Sequence, residues 1–265
     1  MTVAKGLTGA AAPLGAVVGF AGESQRAGFY AAFDAKDGRK IWQFDSTPAS
    51  GWEGEFRETT PDGVPLERQI DQERKSFAQY RDAWKRGGGS AWTTPAADVK
   101  RDLIYLGVGN PSPQMEDLTR PGDNLYTVSL VALDANTGEE LWSVDLGPLL
   151  ENDWGDGPRS TPTVESGLVY ALGGKGALVC VRAKDGSEVW RTNVKDELAG
   201  TEPDWGYCES VLIDGDLLLC TPGGTEGAIA ALDKATGKVR WRATDLDDTA
   251  HYSSILRVEI NGQPQ

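Results

Sequence analysis

The segment ALDANTGEELW, Ala132 to Trp142, decides the fold. It reads as a β-hairpin: a short apolar strand, an aspartate (Asp134) whose side chain caps the turn, a glycine (Gly138) free to take positive φ, and a second strand that closes on tryptophan. Three further segments keep this design: AFDAKDGRKIW (Ala32 to Trp42), CVRAKDGSEVW (Cys180 to Trp190) and ALDKATGKVRW (Ala231 to Trp241). In all four a glycine stands four residues before the Trp, and in three an aspartate stands eight before it; Arg182 replaces it in the remaining copy. One such hairpin would mean little, but four at constant internal spacing make a repeat. Its tryptophans are expected to wedge between neighbouring sheets.

Successive hairpin tryptophans lie 100, 48 and 51 residues apart. Units of this size, each holding several short strands, are the blades of a propeller rather than the turns of a helical solenoid. Upstream of the last two hairpins, Ser160 to Val181 and Glu209 to Leu232 alternate strand and Gly-rich turn as a four-stranded blade should. The reading is therefore all-β, a single partial β-propeller domain over residues 1–265 with four to five blades. The wide first interval holds one blade plus an insertion over residues 46–86. Within it Leu66, Ile70, Phe77, Tyr80 and Trp84 keep helical spacing, which predicts a helix over 65–84 with Pro65 in its first turn. About four blades do not make a large ring unaided. The ring is expected to close through missing blades or a homodimer, or to be small.

Composition agrees with many turns and large aromatic wedges: 33 Gly and 9 Trp in 265 residues. A net charge of −14 argues against a nucleic-acid partner, because phosphate binding needs clustered Lys and Arg. The three cysteines form no C-x-x-C, leaving buried free thiols or a single Cys208–Cys220 bridge. His251 is the sole histidine, which excludes a His-rich metal site. No apolar run reaches transmembrane length. The Gly/Ala-rich stretch from Gly6 to Gly22 is interrupted by Pro13 and reads as a strand, not as a clear signal peptide.

Four motifs in order, GGGSAW (Gly87 to Trp92), GVGNPSP (Gly107 to Pro113), RPGDNLYT (Arg120 to Thr127) and ALDANTGEELW, make the block from Pro13 to about Trp154 resemble the quinoprotein alcohol dehydrogenases. These are propeller enzymes that use pyrroloquinoline quinone (PQQ) and a calcium or lanthanide ion. Beyond Trp154, the stretches GDGPRSTPTV (Gly155 to Val164), WGYCESVLIDGDLLLCTPGG (Trp205 to Gly224) and HYSS (His251 to Ser254) resemble the PQQ-like repeat proteins instead. Many of those bind no cofactor and act as scaffolds.

The resemblance implies roles for particular residues. Trp92 matches the tryptophan that forms the floor under the planar quinone, a task suited to a large indole face. Ser90 takes the place of a residue that hydrogen-bonds the quinone. Glu23, five residues before Gly28, and Asn110, eighteen after Trp92, match the oxygen ligands of the ion. Asp153, eleven residues past Trp142, is the candidate general base that takes the alcohol proton; aligning on the following Trp instead puts Gly155 at that position. Lanthanide users carry an Asp two residues beyond the base, where this chain has Gly155, so Ca2+ is implied. The adjacent cysteine pair of the family is absent from this sequence. An alcohol or aldehyde substrate, a cytochrome or quinone electron acceptor and a periplasmic location follow from the same resemblance. A cofactor-free propeller serving as a protein-binding or assembly scaffold is the alternative reading.

Overall fold

Four antiparallel sheets of one design account for the repeat in the computed structural model, which describes residues 2–5, 8–9, 12–20, 27–34, 36–48, 56–59, 65, 68–89, 94–112, 117–148, 150, 158–260 and 263–264. The first sheet contains β1 (Thr2–Lys5), β2 (Thr8–Gly9), β3 (Ala12–Phe20), β4 (Phe29–Asp34) and β5 (Lys40–Asp45), ordered β1-β3-β4-β5 with β2 also paired to β3. The second is β6 (Ala96–Asp98), β7 (Leu103–Val108), β8 (Ser129–Asp134) and β9 (Glu140–Asp145). The third is β10 (Thr163–Glu165), β11 (Leu168–Leu172), β12 (Ala177–Arg182) and β13 (Glu188–Asn193). The fourth is β14 (Leu212–Asp214), β15 (Leu217–Cys220), β16 (Ala230–Asp233) and β17 (Val239–Arg242), after which β18 (Glu259–Ile260) and β19 (Gln263–Pro264) form a two-stranded ribbon. First strands of adjacent sheets lie side by side, β6 with β10 and β10 with β14, so the sheets fan outward as propeller blades do.

The hairpins obey the reading of their sequence. Asp34, Asp134 and Asp233 each accept backbone N–H bonds within their own turn, for example Asn136 N to Asp134 Oδ1 at 2.8 Å. The turn glycines Gly38, Gly138, Gly186 and Gly237 take φ of 73°, 73°, 69° and 71°, where a Cβ would be strained. Every sheet also carries one register shift in its outer hairpin, between Ala32 and Phe33, Ala132 and Leu133, Cys180 and Val181, and Ala231 and Leu232. In each case the residue just before the shift is the one opposite the hairpin tryptophan. Such a bulge bends the outer strand and so sets where the indole points.

Three of the tryptophans close a seam to the next sheet. Trp42 Nε1 donates to Ala135 O at 2.9 Å, Trp142 to Ala183 O at 3.1 Å and Trp190 to Lys234 O at 2.9 Å. Each ring lies flat on the next turn's glycine, close enough that a Cβ on Gly138, Gly186 or Gly237 would stand 2.5, 2.8 or 2.7 Å from indole carbon. The hydrophobic core is correspondingly divided into three seams, one for each pair of neighbouring sheets. Burying one indole with its N–H satisfied contributes about 5 kcal/mol before ordering costs. The middle strands β7 (LIYLGV) and β8 (SLVALD) are buried on both faces, apart from the half-buried Asp134 at the end of β8, while outer strand β5 (KIWQFD) alternates buried Trp42 and Phe44 with exposed neighbours.

The insertion contains α1 (Ile70–Tyr80) and a short 3-10 turn, Ala83–Arg86. The helix begins five residues later than the 65–84 spacing predicts. Pro65 instead bridges Thr59, and Arg68 is held outside the helix by Glu73 and Asp123. Glu73, 1% exposed, also accepts from Gly122 N, so α1 is clamped onto the RPGDN turn of the second sheet. All three cysteines are free thiols. His251 is exposed and bonded to Thr249.

Candidate functional site

The glycine triplet is a backbone wedge between the ends of the first two sheets. Gly28 N donates to Gly88 O at 2.7 Å, Gly89 N to Asn110 O at 2.9 Å and Ser112 N to Gly87 O at 2.9 Å, while Ser46 Oγ donates to Gly89 O at 2.7 Å. No side chain fits in this crossing. A Cβ on Gly88 would come within 2.7 Å of Asn110 O, and one on Gly28 within 2.2 Å of Gly89 O. Gly88 and Gly89 also take φ of 77° and 64°. The sequence at this point runs directly on to Ser90 and Trp92.

Asn110 stands beside the triplet and is 3% exposed. Its Nδ2 donates to Leu150 O, which fixes the amide with its oxygen pointing away. Oδ1 is buried and has no hydrogen-bond partner among the described residues. Leaving a buried carbonyl oxygen unsatisfied costs about 1–3 kcal/mol, which a ligand at that oxygen offsets. An amide oxygen is a fitting donor for a hard cation and carries no proton to lose. Glu23, Ser90, Trp92 and Asp153 lie outside the described residues. Among the described residues no cluster of three His, Cys, Asp or Glu side chains gathers to hold a metal.

The same loop position in the third sheet is occupied differently. Asn110 and Lys175 each stand seven residues after the first residue of the second strand, Leu103 or Leu168. Lys175 Nζ is ion-paired to Glu202 Oε1 at 2.7 Å, and Lys195 takes the other oxygen at 2.6 Å. Burial pushes the Glu202 carboxyl up, but hydrogen bonds and charge from the two lysines outweigh it and hold it below its ordinary value.

Glu209 is the chemically unusual residue that spacing arguments pass over. It is 2% exposed; Oε1 accepts from Thr221 N, and Oε2 has no partner among the described residues. Burial pushes its carboxyl up to about 7 against the opposing pull of the Thr221 bonds. A signal for it exists in the repeat. Ser160 and Glu209 both stand three residues before the first strand of their sheets, and Ser160 Oγ reaches Leu172 O much as Glu209 reaches Thr221. A glutamate in a serine-sized site leaves its second oxygen stranded. The repeat also aligns Asp153-Trp154-Gly155 with Asp204-Trp205-Gly206, so the segment carrying the candidate base recurs one sheet later.

Residues 13–146 match the family described as "Glucose/ethanol/alcohol dehydrogenase, beta-propeller domain", and residues 127–263 match "Outer membrane protein assembly factor BamB", each about half of the chain. The chain belongs to the PQQ propeller family. The dehydrogenase subunit of the quinone alcohol dehydrogenase of Gluconobacter oxydans is 34% identical over 131 residues, covering 48% of this chain and 16% of that protein. Subunit 1 of the cytochrome c methanol dehydrogenase of Methylorubrum extorquens is 32% identical over 127 residues, covering 48% and 20%. Only a fifth or less of these relatives is therefore spanned by the match. Among solved structures, a europium-containing methanol dehydrogenase superposes with a TM-score of 0.58 at 15% identity over 90% of this chain and 53% of the other. The quinohemoprotein alcohol dehydrogenase ADHIIG of Pseudomonas putida HK5 gives 0.51 at 16% identity over 94% and 53%. At those identities the likeness establishes the propeller fold.

Proposed function

We propose that the chain is the cofactor-bearing part of a quinoprotein-like oxidoreductase that oxidises an alcohol or aldehyde with PQQ and Ca2+. The observation that carries this reading is the buried, unpartnered Oδ1 of Asn110, presented beside a glycine crossing that leads into Ser90 and Trp92. Asn110 and Glu23 are the proposed ion ligands, Trp92 the stacking floor and Ser90 a hydrogen-bonding partner. When bound, PQQ supplies the two-electron acceptor and the cation supplies positive charge beside it. Asp153 takes up the substrate hydroxyl proton, which requires it to be a carboxylate at the working pH. Gly155, two residues further on, leaves the ion fewer carboxylates and favours calcium over a lanthanide. By analogy with its relatives the protein works in the periplasm and passes electrons to a cytochrome or a quinone.

The second reading is a cofactor-free assembly scaffold, and the match of residues 127–263 to an outer membrane assembly factor favours it. Tryptophan fluorescence during a PQQ titration, with and without Ca2+, separates the two. Saturable, calcium-dependent quenching that is lost in Trp92→Ala and weakened at least tenfold in Asn110→Ala supports the enzyme. A folded protein that binds no PQQ in either condition leaves the scaffold.

A further inference from the structure

We infer that Arg159, Trp205 and Tyr252 form an anchor for the carboxylate of a small organic acid, set at the same end of the sheets as Asn110. The part it plays in a reaction rests on the oxidoreductase reading above. Register brings the three residues together. Ser210 Oγ accepts from Thr161 N at 2.9 Å and Ser254 Oγ accepts from Ser210 N at 3.0 Å, so positions 161, 210 and 254 stand side by side. Arg159, Cys208 and Tyr252 each lie two positions earlier and so meet in one row. Pro158 packs on Gly107, where an added Cβ would stand 3.3 Å from the proline ring, and Gly107 is three residues before Asn110. The row therefore shares its end of the sheets with the Asn110 loop.

Two aromatic rings hold the guanidinium in place. Its carbon is 5.9 Å from the centroid of Trp205 and 6.0 Å from that of Tyr252, and the two rings are 6.5 Å apart at 50°. Nη1 donates to the Tyr252 hydroxyl at 2.5 Å. Cation–π contacts fix the guanidinium but do not neutralise its charge. Its five N–H donors lie in one plane, and the phenol oxygen accepts from one of them. A carboxylate matches such a fork with two parallel bonds. Tyr252, which accepts from Arg159, keeps its own proton to give to the same anion. Desolvation pushes the Tyr252 phenol and the Cys208 thiol up, so both stay neutral beside the guanidinium. Tyr252 is 61% exposed and Arg159 and Trp205 are half-buried, so the ligand arrives from solvent. A hydroxy acid held here by its carboxylate leaves its hydroxyl end for the segment that carries Asp153, six residues before Arg159.

The test titrates γ-hydroxybutyrate and n-butanol into the full chain without cofactor and follows the Trp205 indole N–H by proton–nitrogen correlation NMR, assigned through Trp205→Phe. The acid should move that resonance saturably and the alcohol should not. Affinity for the acid should fall about tenfold in Arg159→Gln and about threefold in Tyr252→Phe. Unmoved Trp42, Trp142 and Trp190 resonances report that each variant is folded. The absence of a saturable shift overturns the proposal, as does an equal response to the two compounds or equal affinity in Arg159→Gln. With PQQ and Ca2+ added, the acid should be oxidised with a kcat/KM about tenfold above that of n-butanol, a preference lost in Arg159→Gln. If the acid binds yet neither compound is oxidised, the anchor stands and the oxidoreductase reading fails. If n-butanol is oxidised while the acid neither binds nor is preferred, that reading stands and the anchor is overturned.

Discussion

Asn110 in the second sheet and Glu209 in the fourth are both almost wholly buried, both anchored through one atom, and both left with one oxygen that no described residue satisfies. Their chemistry diverges because the amide cannot take up a proton and the carboxyl can. At Glu209 desolvation is relieved by protonation, which is why its carboxyl sits at about 7. At Asn110 no proton answers the need, and the proposed cation would. Burial alone therefore does not make a ligand site; the type of oxygen buried decides it.

The glycine crossing that carries Asn110 is where substitution should do most damage. Gly88→Val puts a branched side chain at φ 77° with its Cβ 2.7 Å from Asn110 O, and a loss of roughly 3 kcal/mol or more is expected in urea unfolding. Gly38→Val has open space around it and should cost about 1–2 kcal/mol through φ alone. Equal losses at the two sites would mean that the crossing is not tightly built.

Asn110→Asp should make the second sheet behave like the fourth. The new carboxylate loses the donor to Leu150 O and is desolvated, so its folded pKa rises and stability falls with increasing pH, by about 3 kcal/mol between pH 4 and 8 if the shift matches that of Glu209. Added Ca2+ should recover part of that loss at pH 8. A flat pH profile in this variant would show that water or another donor already reaches the site.

Glu209→Gln is the reciprocal change. A carboxyl raised from its ordinary 4.5 to about 7 on folding binds more protons folded than unfolded. Its contribution to stability is complete below about 4.5 and is lost as pH rises through 7, at most about 3 kcal/mol. The glutamine variant should match the parent near pH 4.5 and exceed it by about 3 kcal/mol at pH 8 in denaturant melts. If the two curves stay parallel, Glu209 is not protonated in the fold.

Much of the architecture was legible because it rests on local chemistry. An Asp that caps its own turn and a Gly at positive φ act within one hairpin, so Asp134 and Gly138 identify it without knowledge of the rest of the chain. The start of α1 was less legible. Its boundary depends on Arg68 reaching Asp123, 55 residues away, and no periodicity carries that contact. Of the candidate site, Asn110 was singled out by the resemblance of its motif, whereas the burial and state of its oxygen were not legible. Glu209 was visible only once Ser160 supplied its counterpart.

The sequence by itself determined the repeat, the turn chemistry and a propeller of four to five blades, since each follows from residue types at fixed short spacings, and its motifs carried the resemblance to the family. Tertiary structure alone decided which tryptophans are covered, that Gly87 to Gly89 cross between two sheets, and that the Asn110 amide and the Glu209 carboxyl each keep an oxygen unmatched among the described residues. Those outcomes depend on which distant backbone atoms arrive beside a side chain, and solvation is a property of that neighbourhood rather than of the residue.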